Sequence, residues 1–260
     1  MKIGFIGTGN MGGTLATAVS KGAKNSSIML YDVDKTKAEE LAEKIGAAYA
    51  DLKNILNADF VFLGVKPQIL PKVLEDIKGS INKNTVFVSM AAGVSVASVQ
   101  NILGKVSVIR IMPNTPAAFG EGMTLLCSEN TGEEKIEIFK EIVSASGRLM
   151  EVDEKLIDAA SAVSGCGPAF VFMFISALAD GGVECGLPYN TALTLAAQTV
   201  LGSAKTVLES GIHPEALKNA VCSPGGTTIE GVHALENGAF RAAAMNAVKA
   251  AFEKTLRLGK

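Results

Sequence analysis

Histidine and cysteine are both scarce in this chain, which has 260 residues but only two histidines and four cysteines. Cys127, Cys166, Cys185 and Cys222 lie far apart and form no C-x-x-C pair. A zinc site needs clustered nitrogen and sulfur ligands, so no metal centre is expected. Scattered cysteines of this kind read as reduced thiols of a cytoplasmic protein. Long runs of like charge are also missing, and the net charge is −2. Without a basic face or arm, nucleic acid is not an expected partner. The most apolar stretch, Pro168 to Ala179, is shorter than the roughly 20 residues of a bilayer span, so no membrane is expected either. It reads as a helix buried on most sides, in a core or against another subunit. Phe170, Phe172 and Phe174 within it read as packing residues. No charged-then-apolar leader is seen before the first strand.

What the chain does have is apolar bulk, with 48% of residues hydrophobic. That suffices for one large domain or two small ones. Lys2 to Ile6 is a short apolar strand running into Gly7-Thr8-Gly9-Asn10-Met11-Gly12, then a helical segment to about Gly22. Ile28 to Tyr31 is a second strand, ending in Asp32. Strand, glycine-rich turn, helix, strand and acid in this order make a Rossmann dinucleotide-binding unit. Gly7 allows the tight turn, Gly9 admits the pyrophosphate, and Gly12 lets the helix close on the strand. Asp32 stands where an acid accepts from the adenosine ribose hydroxyls.

The alternation continues. Lys35–Ile45 is a polar-faced helix. Strands follow at Asp59 to Gly64, Thr85 to Ser89 and Val106 to Arg110, with helical segments between them. The pattern predicts an α/β fold with a mostly parallel sheet, ligands sitting at the carboxyl ends of the strands. The loops just past those ends carry Val65, Lys66 and Pro67, then Ala91, Ala92 and Gly93, then Asn114, and they suit a cofactor trough. Gly122 to Cys127 and Arg148 to Val152 are two further strands, with a helix over Glu133 to Ser146 between them.

From about Asp153 only helical patterns remain. A helix over Asp153 to Ala162 is followed by a turn at Ser164 to Pro168. The apolar helix then closes near Gly181-Gly182. Pro188 starts a long helix to Glu209, His213 heads a short one, and the last runs from Phe240 to Leu256. Residues 1–152 are therefore expected to be the dinucleotide-binding domain, and 153–260 an all-α domain for substrate binding and dimerisation. A nearly all-apolar helix in so small a domain predicts burial shared between subunits.

Val221 to Thr228 is the segment on which the chemistry turns. Ser223-Pro224-Gly225-Gly226 forces a turn, and Thr227 opens a helix with apolar spacing at Ile229, Val232 and Leu235. By itself this reads either as an ordinary helix cap or as an anion site. In the second case free backbone N–H groups, glycines and hydroxyls would converge on a carboxylate. A hydroxy-acid dehydrogenase would need a histidine or lysine base. His213 reads as a cap or surface residue, His233 as a packed or solvated residue, and Lys205 lacks an asparagine one turn later, since position 209 is Glu. Reduction of a protonated C=N bond asks less. It needs a carboxylate cradle, a hydrogen-bonding group near nitrogen and exclusion of water.

Six stretches in order resemble the pyrroline-5-carboxylate reductase family: Gly7 to Gly12, Val65 to Pro67, Met112 to Pro116, Ser164 to Ala169, Ala179 to Val183 and Cys222 to Thr228. The resemblance covers essentially the whole chain. It implies reduction of Δ1-pyrroline-5-carboxylate to L-proline, the last step of proline biosynthesis, with NADPH or NADH as hydride donor. It implies that Ser223, Gly225, Gly226 and Thr227 cradle the carboxylate, and that Thr228 stands near the ring nitrogen as the catalytic hydroxyl. Ile6 to Gly12 and Asp32 fall at the cofactor positions. The family's helical domain implies a dimer and, from dimers, larger rings. Two positions depart from the pattern. Cys166 replaces a usual serine and is given no role. Asp32 would repel the 2′-phosphate of NADPH, which points to NADH, although Lys35 and Lys37 offer counter-charge. Two rival readings are a reductase of another small cyclic imine or keto acid, and a non-catalytic dinucleotide sensor. A sensor has no need of a carboxylate site.

Overall fold

The computed structural model of the protein describes residues 1–23 and 25–258. By contacts the chain divides into two compact units, Met1–Cys166 with Ala251–Lys260, and Gly167–Ala250.

The first unit alternates strand and helix. Its elements are β1 (Lys2–Ile6), α1 (Asn10–Gly22), β2 (Ser27–Tyr31), α2 (Lys35–Ile45), β3 (Ala48–Tyr49), α3 (Leu52–Ile55), β4 (Phe60–Leu63), α4 (Leu70–Ile77), β5 (Val86–Ser89), α5 (Val96–Leu103), β6 (Ser107–Met112), β7 (Gly122–Glu129), α6 (Glu133–Val143), β8 (Gly147–Glu151) and α7 (Glu154–Ser164). Short polar residues start the helices. Asp34, Asp51, Ser95 and Asp153 each accept a backbone N–H of the following first turn.

The strands form one sheet in the order β3-β2-β1-β4-β5-β6-β7-β8. All pairs are parallel except β6 with β7. A 3-10 turn at Thr115–Phe119 joins those two strands. So short a link cannot make the crossover that a parallel neighbour requires, so β7 returns antiparallel. The central strands are buried on both faces and therefore lack a polar side. Phe60, Phe62, Val88 and Ile109 face one layer, with Leu15 and Val19 of α1 and Phe139 of α6. Val61, Leu63, Phe87 and Val108 alternate to the other layer, with Leu74 of α4 and Val99 of α5.

Helix α7 is fastened to this sheet by charge. Arg110 on β6 is 2% exposed. Its Nη2 is 2.5 Å from Asp158 Oδ1, and its Nη1 is 3.4 Å from Glu154 Oε1. Glu154 Oε1 also accepts the Val96 N–H that opens α5, at 2.7 Å.

The second unit contains α8 (Gly167–Glu184), α9 (Tyr189–Ser210), α10 (Pro214–Val221), α11 (Thr227–Asn237) and most of α12 (Phe240–Leu258). Its buried apolar residues, among those described, are only Ala179, Ala192 and Ala196, where α8 meets α9. The sequence places the end of α8 near Gly181-Gly182, but the helix runs through both to Glu184. The reason is packing: a Cβ on Gly182 would stand 2.9 Å from the Ala192 Cβ, so the glycine serves a close helix crossing rather than a stop. The expectation of a helix buried on most sides is not met within this chain. Phe172 is 60% exposed and Met173 74%.

One residue of this unit carries backbone strain. Ala239, between α11 and α12, has φ 54, a left-handed conformation that disfavours a side chain. Ala239→Gly should therefore raise stability by about 1 kcal/mol without altering the fold, measured as an upward shift in melting temperature. An unchanged or lower value would show that this backbone is not strained.

Candidate functional site

The strand order 3-2-1-4-5-6 reverses direction between β1 and β4, and the crevice outside their carboxyl ends is where such sheets bind ligands. Three backbone segments meet there without side chains between them. A Cβ on Gly12 would lie 2.1 Å from the Gly7 carbonyl oxygen, and one on Gly64 would lie 2.7 Å from the same atom. Gly9 differs, because a Cβ there would meet nothing within 4 Å. Gly12 is thus needed by the protein itself, whereas the space over Gly9 is free for a ligand. A cleft of about 320 Å³ opens at this point, lined by Ile6, Gly7, Gly9, Asp32, Val65 and Lys66. Leu52, Ile69 and Val73 give it an apolar wall suited to a flat base. Sequence reasoning missed that wall, because isolated apolar residues of short helices carry no motif.

Asp32 does more than end β2. Its Oδ2 accepts the Thr8 N–H at 2.7 Å and the Thr8 hydroxyl at 3.0 Å, and Oδ1 accepts the Asp34 N–H at 3.1 Å. Burial would push its carboxyl up. The hydrogen bonds from Thr8 and Asp34, helped by Lys37, outweigh that and hold it below the ordinary carboxylate value. Asp32 therefore stays charged and latches the glycine-rich loop to β2.

The remaining cofactor candidates fall on the same edge of the sheet. Asn10 and Met11 open α1, and Val65 to Pro67 follow β4. Ala91, Ala92 and Gly93 follow β5, while Asn114 follows β6. Ala91 is buried, and Lys66 is exposed. The Asn114 amide is engaged inside the unit: its Nδ2 donates to the Ser164 carbonyl at 2.9 Å and its Oδ1 accepts the Met123 N–H at 2.9 Å. It ties the β6 loop to β7 and to the end of α7.

The substrate candidates lie in the second unit. Ser223 to Gly226 is a type II turn: Gly225 has φ +67, and the Gly226 N–H donates to the Ser223 carbonyl at 3.1 Å. A Cβ on Gly226 would stand 2.3 Å from Ser223 Oγ, so a side chain there would displace the serine hydroxyl. No side chain caps α11 behind this turn. Of the two readings left open by the sequence, an ordinary side-chain cap is therefore not what is found. The free N–H groups of the first turn stand beside the exposed Ser223, Thr227 and Thr228. Such an arrangement has the donors to hold one anionic group of carboxylate size. Two of the three alternative bases have partners of their own. His213 Nδ1 accepts the Glu215 N–H at 3.2 Å as the cap of α10, and the exposed Lys205 lies 3.7 Å from Glu209.

Fold and cleft together define a nicotinamide-dinucleotide-dependent oxidoreductase. Comparison with known proteins gives the family. Residues 154–258 match the family profile described as "Pyrroline-5-carboxylate reductase dimerisation", and residues 2–93 match "NADP oxidoreductase coenzyme F420-dependent". The chain is 42% identical over 265 residues to a pyrroline-5-carboxylate reductase of Arabidopsis thaliana, covering 100% of this chain and 96% of that protein. It is 43% identical over 270 residues to that of Escherichia coli (strain K12), covering 100% and 98%. A crystal structure of Plasmodium falciparum pyrroline carboxylate reductase with NADP bound superposes with a TM-score of 0.90 at 32% identity, covering 100% and 98% of the two chains. The chain belongs to the pyrroline-5-carboxylate reductase family.

The glycine geometry predicts two opposite outcomes. Gly9→Ala should leave the melting temperature unchanged and raise the KM for the dinucleotide about tenfold, since its methyl group takes up ligand space. Gly12→Ala should lower stability by more than ~3 kcal/mol, because the backbone must move apart. Thermal melts and dinucleotide titrations of both variants check this, and equal behaviour would contradict the separation.

Proposed function

We propose that this chain reduces the C=N bond of Δ1-pyrroline-5-carboxylate to give L-proline, with NADH preferred over NADPH. The observation that carries the reading is the uncapped N-terminus of α11 behind the Ser223–Gly226 turn. A small substrate with one carboxylate fits it, and the full-length family match supports that substrate.

The division of labour follows from the residues. The nicotinamide cofactor supplies the hydride. Ile6 to Gly12, Asp32, Val65 to Pro67, Ala91 to Gly93 and Asn114 hold the dinucleotide or shape its trough. The open face of Gly9 and the Gly7–Gly12 contact fit a pyrophosphate lying on the backbone. In the helical half, Ser223 Oγ and the N–H groups around Gly225, Gly226 and Thr227 hold the carboxylate. Thr228 places its hydroxyl at the ring nitrogen and orients the proton there. No strong base is required, because a protonated imine already carries the charge that attracts hydride. Functionally the chain divides at 152/153, into a dinucleotide-binding domain and a helical domain for substrate and self-association.

Charge at Asp32 supports NADH. The carboxylate is held ionised by Thr8 and Asp34, so a 2′-phosphate beside it would meet like charge. Lys35 and Lys37 on α2 reduce that repulsion.

The exposed apolar side chains of the helical unit support a homo-oligomer, a dimer at least, from which a ring of dimers is a natural extension. Glu154–Glu184, which contains an 18-residue stretch of mean hydropathy 1.8, is long and apolar enough to cross a membrane. Its first helix, α7, is tied to the sheet through Arg110, which favours burial against a second copy over a lipid setting. We read the protein as a soluble cytoplasmic enzyme.

Steady-state oxidation of NADH and NADPH with pyrroline-5-carboxylate tests the whole reading. Turnover is expected with both, and kcat/KM should be higher for NADH. Ser223→Ala should chiefly raise the KM for the imine, and Thr228→Ala should lower kcat, each about tenfold or more, without change in dinucleotide affinity. Binding of cofactor without turnover of this imine would overturn the substrate assignment.

A further inference from the structure

The substrate turn sits between two helices that this chain does not bury. Among the described residues, neither α10 nor α11 has a buried side chain. Hydrophobic packing within the chain therefore does little to set the angle between them. Yet α11 must aim its N-terminus at a small anion, and α11 is 11 residues long. A swing of about 10° would displace one end relative to the other by roughly 3 Å, given a rise of about 1.5 Å per residue, and would turn its N–H groups through the same angle. That exceeds the tolerance of a hydrogen-bonded site.

One side chain reaches the far end of both helices. Arg241, second residue of α12, donates from Nε to Glu236 Oε1 at 2.6 Å, in the last turn of α11. Its Nη1 is 2.8 Å from Glu215 Oε1, in the first turn of α10. Lys218 Nζ holds the other Glu215 oxygen at 2.8 Å. The planar guanidinium fixes the directions of its donors, which a lysine could not do. Its neighbour Phe240 packs on Phe174 of α8, with ring centroids 5.5 Å apart, and so anchors the start of α12.

We propose that Arg241 is a positioning residue for the reduction, bracing α10 against α11 so that the Ser223–Thr228 turn keeps its aim. The proposal rests on the function read above. The turn closes one end of the helix pair through the Gly226-to-Ser223 hydrogen bond, and Arg241 closes the other. Removing the brace leaves the turn itself intact but lets α11 pivot. The members of the brace are about half exposed, 52% for Arg241 and 45% for Glu215, so an ion pair here adds little to global stability. What it supplies is direction. Hydrogen bonds from Arg241 and Lys218 pull the Glu215 carboxyl down to about 2, so the brace stays charged at neutral pH.

Two measurements on the full-length protein test this. The first is steady-state kinetics of Arg241→Gln, Arg241→Lys and Glu215→Gln. Arg241→Gln should raise the KM for pyrroline-5-carboxylate about tenfold, leaving the KM for NADH and the melting temperature unchanged. Arg241→Lys should fall between it and the unmodified protein, and Glu215→Gln should show a smaller rise. The second is amide hydrogen exchange over residues 223–230, which should quicken in Arg241→Gln while exchange in the β-sheet stays the same. An unchanged KM with unchanged exchange would overturn the brace. So would a parallel rise of both KM values with a lower melting temperature, which marks general damage. If the unmodified protein fails to reduce this imine, the substrate assignment falls, and the exchange measurement alone then decides whether Arg241 orders the turn.

Discussion

The contact on which the cofactor half depends is between backbones. The Gly7 carbonyl, the Gly12 Cα and Gly64 approach so closely that no Cβ fits at Gly12 or Gly64. This sets how near α1 lies to β1 and β4, and so where its N-terminal N–H groups stand. Everything at the crevice is measured from that approach. The Asp32 carboxylate fixes the loop from its other side through Thr8. A phosphate bound at this crevice would meet a cradle already in place, with little ordering left to be done.

The two units solve stability differently. The dinucleotide unit buries strands on both faces and is complete as a core. The helical unit buries three alanines and exposes many large apolar side chains. An apolar helix in that state calls for a cover, and a second copy of the chain supplies the same chemistry on the same helices. The Ser223–Gly226 turn, the proposed substrate site, lies in this less self-sufficient unit. Within one chain its geometry comes from local devices: a forced type II turn, an uncapped helix end and the Arg241 brace.

The sequence made much of this legible, for physical reasons that differ by element. The strand–glycine–helix start and the limits of α2 follow from backbone chemistry and local periodicity. The structure has α2 at Lys35–Ile45, as the polar-faced pattern implies. His213 reads as a cap or surface residue, and the structure makes it the cap of α10. The glycine pair at 181–182 misleads, because glycine serves both as a stop and as a close helix contact. The antiparallel return of β7 is set by the short link before it, which composition does not show. Strand β3 has two residues, too few for any period to register.

What the sequence determined by itself is the chemistry that short segments carry: the dinucleotide turn, the Ser223–Gly226 turn and the helix that opens behind it. Backbone restriction and hydrogen-bonding capacity act over a few residues, so they can be read from order alone. Only the tertiary structure decided where the oxygens of Asp32 point, that the Asn114 amide is engaged internally, and that Arg241 gathers carboxylates from two other helices. Those contacts join groups distant in the chain, and their geometry exists only once the elements between them have packed.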